Sequence, residues 1–220
     1  MADSPTTREV PLNAKESALL FIDVQNFSVR RDGGEFKEDS DADIADKYGY
    51  YFERLNSVAI PNMKRLQAAS RAAGIEVLYT TIESLTLDGR DRSLDYKITG
   101  FHVPRGSWDG KVIEEIAPGE DEIVLPKSSS SVFVSTHIDY LLRNLGIRQL
   151  VLAGLVTDQC VESAVRDACD LGYLVTLVPD ACATYSQERH DNSLRTIRGY
   201  CRQVDTTALI DEITSARLGK

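Results

Sequence analysis

Three side chains far apart in this 220-residue chain could together break a carbonyl bond. Cys160 ends the stretch Gly154–Leu155–Val156–Thr157–Asp158–Gln159–Cys160, with the apolar run Leu150 to Ala153 before it and a helical pattern to Leu171 after it. This spacing predicts a strand, a tight Gly-led turn and a helix whose first turn carries a thiol. The unpaired N–H groups and positive dipole end of such a helix favour the thiolate, the nucleophilic form. A buried cysteine is ordinarily a small hydrophobe, but the strand-to-helix edge of an α/β sheet is where ligands bind. Asp23 closes the apolar run Ala18 to Ile22 and could take the thiol proton; as a cap or loop carboxylate it would do no chemistry. A phosphatase-type aspartyl nucleophile would require a second aspartate where Gln25 stands. Lys127, just past Pro126, is either an ordinary surface lysine or an ammonium that holds Asp23 and steadies a thiolate.

The elements that must position these groups follow from periodicity. Ala18–Ile22, Ile75–Thr81, Glu122–Leu125 (stopped by Pro126), Gln149–Ala153 and Tyr173–Val178 read as short strands buried on both faces. Helical patterns lie between them over 48–73 (kinked at Pro61, capped by Gly74), 136–145, 160–171 and 187–200, with one more short strand and helix over 204–213. The Gly- and Asp-rich segment 30–47 reads as an excursion loop with a solvated charge run, and 83–106 as a long loop over the sheet edge. Trp108 anchors that region or meets substrate. Alternating strands and helices predict right-handed crossovers and a three-layer α/β/α fold with a mostly parallel central sheet. All strand exits of such a sheet share one edge, so Asp23, Lys127 and Cys160 are expected to converge there. Residues 1–16 read as a flexible arm and 17–220 as one domain.

Composition narrows the classes. A net charge of −9 and a pI near 4.9 argue against a nucleic-acid binder or membrane-surface protein. There is no membrane-length apolar run and no signal-peptide core over residues 1–10. The four cysteines, at 160, 169, 182 and 201, form no C-x-x-C or zinc spacing, which suits reduced thiols in the cytoplasm. The three histidines (His102, His137, His190) include no close pair, so no metal is expected.

With these pieces in order, the chain resembles the isochorismatase-like cysteine hydrolases, over about 18–213. The resemblance is carried by Phe21–Ile22–Asp23–Val24–Gln25–Asn26, by Leu125–Pro126–Lys127 and by Gly154 to Glu162. It implies a Rossmann-like isochorismatase fold and a catalytic triad of Asp23, Lys127 and Cys160. It also implies a cis peptide bond between Leu155 and Val156, and an oxyanion hole made by the Val156 and Cys160 N–H groups. The implied reaction is cysteine-dependent hydrolysis of a C–N bond in a small amide, through a thioester and without a cofactor. Arg105–Asp109 with Ile123–Lys127 is similar to the branch that cleaves linear ureido or carbamoyl compounds. Metal-using nicotinamidases of the family carry an Asp-x-His after the first strand, whereas no histidine precedes His102 here. Isochorismatases proper protonate a vinyl ether and need no thiol; that reaction, and a non-catalytic binding role, stand as alternatives. The family's habit of forming dimers or tetramers implies a homo-oligomer. Candidates for substrate contact are Asn26, Phe27, Trp108, Phe133 and Tyr185, each equally explicable by loop packing. Glu83 stands near the metal-site histidine of relatives and could meet solvent or a polar substrate; His190 reads as a surface or capping residue.

Overall fold

The protein is represented by a computed structural model that describes residues 7–218. Six strands form one sheet: β1 (Ser17–Ile22), β2 (Glu76–Ile82), β3 (Ile123–Lys127), β4 (Gln149–Leu155), β5 (Leu174–Ala183) and β6 (Arg202–Gln203). Their spatial order is β3-β2-β1-β4-β5-β6 and every pairing is parallel. Between them lie α1 (Asn26–Val29), α2 (Asp41–Arg54), α3 (Ile60–Ala73), α4 (Leu94–Ile98), α5 (Val132–Ser135), α6 (Ile138–Asn144), α7 (Glu162–Asp170), α8 (Gln187–Ile197) and α9 (Thr206–Leu218).

The apolar runs are two-faced because the strand side chains alternate between two cores. Leu19, Phe21, Val77, Tyr79, Val151 and Ala153 join Tyr51, Leu55, Met63, Leu66 and Leu209 from α2, the turn after it, α3 and α9 on one side. Ala18, Leu20, Ile22, Leu78, Leu150 and Leu152 join Ile138, Leu142, Val165, Ala168 and Ile197 from α6, α7 and α8 on the other. This is the expected three-layer α/β/α arrangement. From β1 the chain builds outward through β2 to β3, then crosses to β4 on the other side of β1. The reversal lies between β1 and β4, so the crevice beyond their exits is the sheet's natural binding place.

Several local expectations need correction. Pro126 does not stop β3, which runs on to Lys127; β3 is an edge strand, and there a missing N–H costs no ladder bond. The helix expected from residue 48 starts at Asp41, after a capping box between Ser40 and Asp43. The acidic run read as a solvated loop is therefore partly the first turn of α2, where carboxylates suit the dipole. Pro61 produces no break; a π-turn at Leu55–Ala59 precedes it and the chain continues as α3 to Gly74, left-handed at φ 70°. The loop 83–106 holds α4, the helix expected over 136–145 is α6 with the short α5 in the loop before it, and β5 continues through Asp180 to Ala183. Of the expected loose arm, residues 1–6 lie outside the described residues, and its last part is tied down. Leu12 is buried, its N–H donates to Glu212, and Gln149 bonds both Asn13 N–H and Pro11 O.

Candidate active site

Asp23 leaves β1 with φ 55°, a left-handed backbone that lifts its side chain off the strand path and into the crevice at the sheet edge. Its backbone and carboxylate are both fixed by β2: the N–H donates to Thr80 O at 3.1 Å, and Thr80 Oγ1 donates to Asp23 Oδ1 at 2.8 Å. Lys127 ends β3, two strands away, and pairs in register with Ile82. Only a long side chain could cross β2 from there. Its ammonium is fully buried, 2.8 Å from Asp23 Oδ2, 3.4 Å from Cys160 Sγ and 3.5 Å from Tyr96 Oη, and it donates to Ser129 O at 2.8 Å. Asp23, Lys127 and Cys160 therefore meet, although they come from three different strand exits.

Cys160 lies one turn beyond β4. Gly154, within β4, passes so close to β1 that a Cβ would stand 2.3 Å from Ile22 O, at a φ of 130°. Only glycine fits there. The Leu155–Val156 peptide bond is cis. The chain then makes a π-turn over Thr157–Val161, in which Val156 O accepts from Gln159 at 3.1 Å and Val161 at 3.4 Å, passing over the Cys160 N–H. Three side-chain clamps hold the turn. Arg189 and Thr184 both bond Asp158, Ser193 donates to Glu162, and His190 Nδ1 lies 2.9 Å from Thr157 Oγ1. His190 is buried, not a surface residue. Its other nitrogen faces an Arg54 guanidinium at 2.8 Å, which can only donate, so Nε2 accepts and Nδ1 carries the proton to Thr157. Burial, and then the charge on Arg54, lower its pKa to about 4.

The electrostatics differ from the thiolate expected at a helix start. Burial pushes the Cys160 thiol up to about 12; Lys127 pulls it down and Asp23 pushes it up again. Burial outweighs the pull of Lys127, a balance that favours the thiol over the thiolate. Burial disfavours a charged Lys127, but attraction to Asp23, with Cys160 and Tyr96 adding, outweighs this and holds the ammonium well above the ordinary lysine value. Tyr96 Oη also lies 3.9 Å from Cys160 Sγ. Tyr96 has no signal in the sequence beyond being aromatic in a polar segment; the short helix α4 presents it.

A cleft opens on this group, lined by Asp23, Ser28, Glu35, Ile82, Phe101, Leu155, Val156, Gln159, Cys160 and Tyr185, with free space of about 30 Å³. Of the five sequence candidates for substrate contact, Tyr185 lines it and four do not. Asn26 Nδ2 is spent on Trp108 O, Phe27 packs edge-on against Phe101, Trp108 is half exposed, and Phe133 packs against Tyr173. Glu83 is turned onto the loop backbone, accepting from Gly106 N–H at 3.0 Å, and Gln25 bridges Ile82 and Asp109. Glu35 was missed: the turn before α2 folds it into the cleft, where Tyr185 Oη donates to it. Among the described residues no cluster of three or more His, Cys, Asp or Glu could hold a metal, and no helix is long and apolar enough to cross a membrane.

Comparison with known proteins settles the lineage. Residues 17–208 match the family model described as Isochorismatase domain. The chain belongs to the isochorismatase family. Among curated members, it is 28% identical to the ureidoacrylate amidohydrolase of Rhizobium rhizogenes over 90% of this chain and 87% of that one. It is 30% identical to the protein of the same name from Serratia proteamaculans, over 87% and 81%. Of solved isochorismatase-type structures, a cysteine hydrolase from Pseudomonas syringae pv. phaseolicola superposes with a TM-score of 0.81 at 24% identity, covering 97% of this chain and 99% of that one. The N-carbamoylsarcosine amidase of Thermoplasma acidophilum gives 0.66 at 25% identity, over 87% and 96%.

Proposed function

We propose that the protein is a cysteine-dependent amidohydrolase that cleaves a C–N bond of a small linear amide, ureide or carbamoyl compound. One observation carries this reading: a buried ammonium stands 2.8 Å from a carboxylate and 3.4 Å from a thiol at the sheet's switch point, beside a cleft. The thiol is neutral at rest, so a base is needed, and Asp23 is the base. Moving the proton from Sγ to the Asp23 carboxylate replaces one anion beside Lys127 with another, so the buried net charge is unchanged and the ammonium stabilises both states. The thiolate attacks the carbonyl carbon, forming a C–S bond. The oxyanion is held by the N–H groups of Val156 and Cys160, worth about 3 kcal/mol per donor. Asp23 returns its proton to the leaving nitrogen as the C–N bond breaks. Water, deprotonated by Asp23, then cleaves the thioester, and the proton goes back to sulfur. The names of the relatives, an N-carbamoylsarcosine amidase among them, support linear carbamoyl and ureido compounds as the substrate class. A cytoplasmic site of action belongs to the same reading, as does self-association into a dimer or tetramer. Leu87, Leu94 and Ile98, strongly exposed on the excursion that carries α4, are apolar surface for such a contact.

The test is acyl-enzyme trapping. Intact-mass spectra of the wild-type protein, quenched during turnover of a linear ureide panel, should show an adduct on Cys160 together with released ammonia or amine. The Cys160→Ser protein should show neither. Turnover of isochorismate by Cys160→Ala, with no ureide cleaved by the wild type, would replace this reading with vinyl-ether hydrolysis.

A further inference from the structure

The cleft holds a second carboxyl group that the mechanism does not use. Glu35 is set rigidly. Its N–H donates to Phe27 O at 3.2 Å, and Gly34 N–H donates to Asp109 at 3.2 Å. Gly33 sits so close to α1 that a Cβ would stand 2.3 Å from Asn26 O. The side chain takes the Tyr185 hydroxyl proton in a hydrogen bond, and the Tyr185 ring packs 5.1 Å from Tyr51. Phe101 lines the same space.

What the lining lacks is equally informative. Among the described residues that line the cleft there is no Arg or Lys. The Lys127 ammonium lies behind it, fully buried and engaged by Asp23 and Ser129. Arg189 sits over the Tyr185 ring at 5.0 Å but is not among the lining residues and is paired with Asp158 at 2.6 Å. A substrate with a carboxylate would therefore bring a third acidic group into a space with two, with no cation to receive it. An ammonium would meet a carboxylate and two aromatic rings, the combination that holds organic cations.

We propose that Glu35, flanked by Tyr185 and Phe101, is a specificity-determining residue that selects amides carrying an ammonium group and rejects those carrying a carboxylate. This rests on the amidohydrolase reading and narrows its substrate class, away from the acrylate in the name of the curated relatives. Burial raises the Glu35 pKa to about 7, with the Tyr185 hydrogen bond opposing, so an incoming cation can draw the carboxyl into its charged form near neutral pH.

Three ureides of matched length test it: (3-aminopropyl)urea, 3-ureidopropanamide and 3-ureidopropanoate, which are cationic, neutral and anionic. Calorimetric titration into Cys160→Ser protein, which retains the cleft, should rank them in that order, with the cation about tenfold or more tighter than the anion. Glu35→Gln, which still accepts the Tyr185 hydrogen bond, should collapse that ratio mainly by weakening the cation. With Cys160 intact, Glu35→Gln should raise KM for the cationic ureide and bring the cation-to-anion ratio of kcat/KM toward one. Equal or tighter binding of the anion, or a ratio untouched by Glu35→Gln, would overturn the selection by charge. If the wild type turns over none of the three or any other ureide, the amidohydrolase reading fails, while the affinity order still decides the role of Glu35.

Discussion

At the scale of the residue, the informative contrast is between the three ionisable groups beside the cleft. A thiol at a helix start is expected to ionise easily, yet burial holds Cys160 up at about 12. Its ease of alkylation should therefore be low at pH 7, below that of the part-exposed Cys169, and should climb steadily as pH is raised toward 12. Peptide mapping after timed iodoacetamide treatment reads both sites in one sample. Replacing Lys127 by Met separates its two jobs. It removes the attraction that steadies a Cys160 thiolate, so alkylation slows further. It also leaves Asp23 buried beside no cation, a loss of about 3–5 kcal/mol, to be read by urea unfolding at pH 7. A Lys127→Met protein as stable as wild type would mean that the Asp23–Lys127 pair does not hold the fold together. Tyr96 and Ser129 cannot compensate, since neither carries positive charge.

At the scale of the element, the frame was legible in the sequence and the loops that close the cleft were not. Short uninterrupted apolar runs such as Leu19–Leu20–Phe21–Ile22, too short for a buried helix, read as strands buried on both faces, and the polar residue after such a run marks its exit. That reasoning alone placed Asp23, Lys127 and Cys160 on one edge. Glu35 and Tyr96 escaped because their positions depend on loop paths: the charge run around residue 35 is a tight turn packed on α1, and the 83–106 segment folds a single helical turn over the site. Neither has a periodicity to read. Gly154, expected to lead a turn, lies inside β4, where the register with β5 shifts between Leu152 and Gly154, and its lack of a side chain lets β4 lie against Ile22 of β1. Gly154→Ala would place a methyl within 2.3 Å of Ile22 O and 2.6 Å of Ile22 N, both backbone atoms that cannot swing away. The β1–β4 pair must part, and with it the distance between Asp23 and Cys160. Destabilisation well above about 1 kcal/mol is expected. Activity lost at temperatures where circular dichroism still shows folded protein would trace the damage to geometry.

At the scale of the whole molecule, one half-buried and one buried group set opposing pH dependences. The Glu35 pKa rises from 4.5 to about 7 on folding, chiefly through burial, with Tyr185 bonded to it and Tyr51 behind. The stability this protonated carboxyl contributes is complete below pH 4.5 and is lost as pH rises to 7, because the unfolded chain sheds the proton first. His190 runs the other way. Folding lowers its pKa from 6.5 to about 4, so its neutral form contributes stability above pH 6.5 that is lost as pH falls toward 4. Between those limits the two slopes largely cancel, and wild-type stability should vary little from pH 5 to 6.5 on their account. Glu35→Gln removes one slope and leaves the other. Relative to wild type, the variant should gain about 3 kcal/mol between pH 4.5 and pH 8, a figure that follows from a shift of this size. Urea unfolding of both proteins across that range measures the difference directly. A difference that stays constant with pH would mean that Glu35 titrates normally and that the cleft is wetter than its lining suggests. A difference that grows as drawn here would identify a carboxyl retained at a cost to stability near neutral pH, which is what a group kept for binding should show.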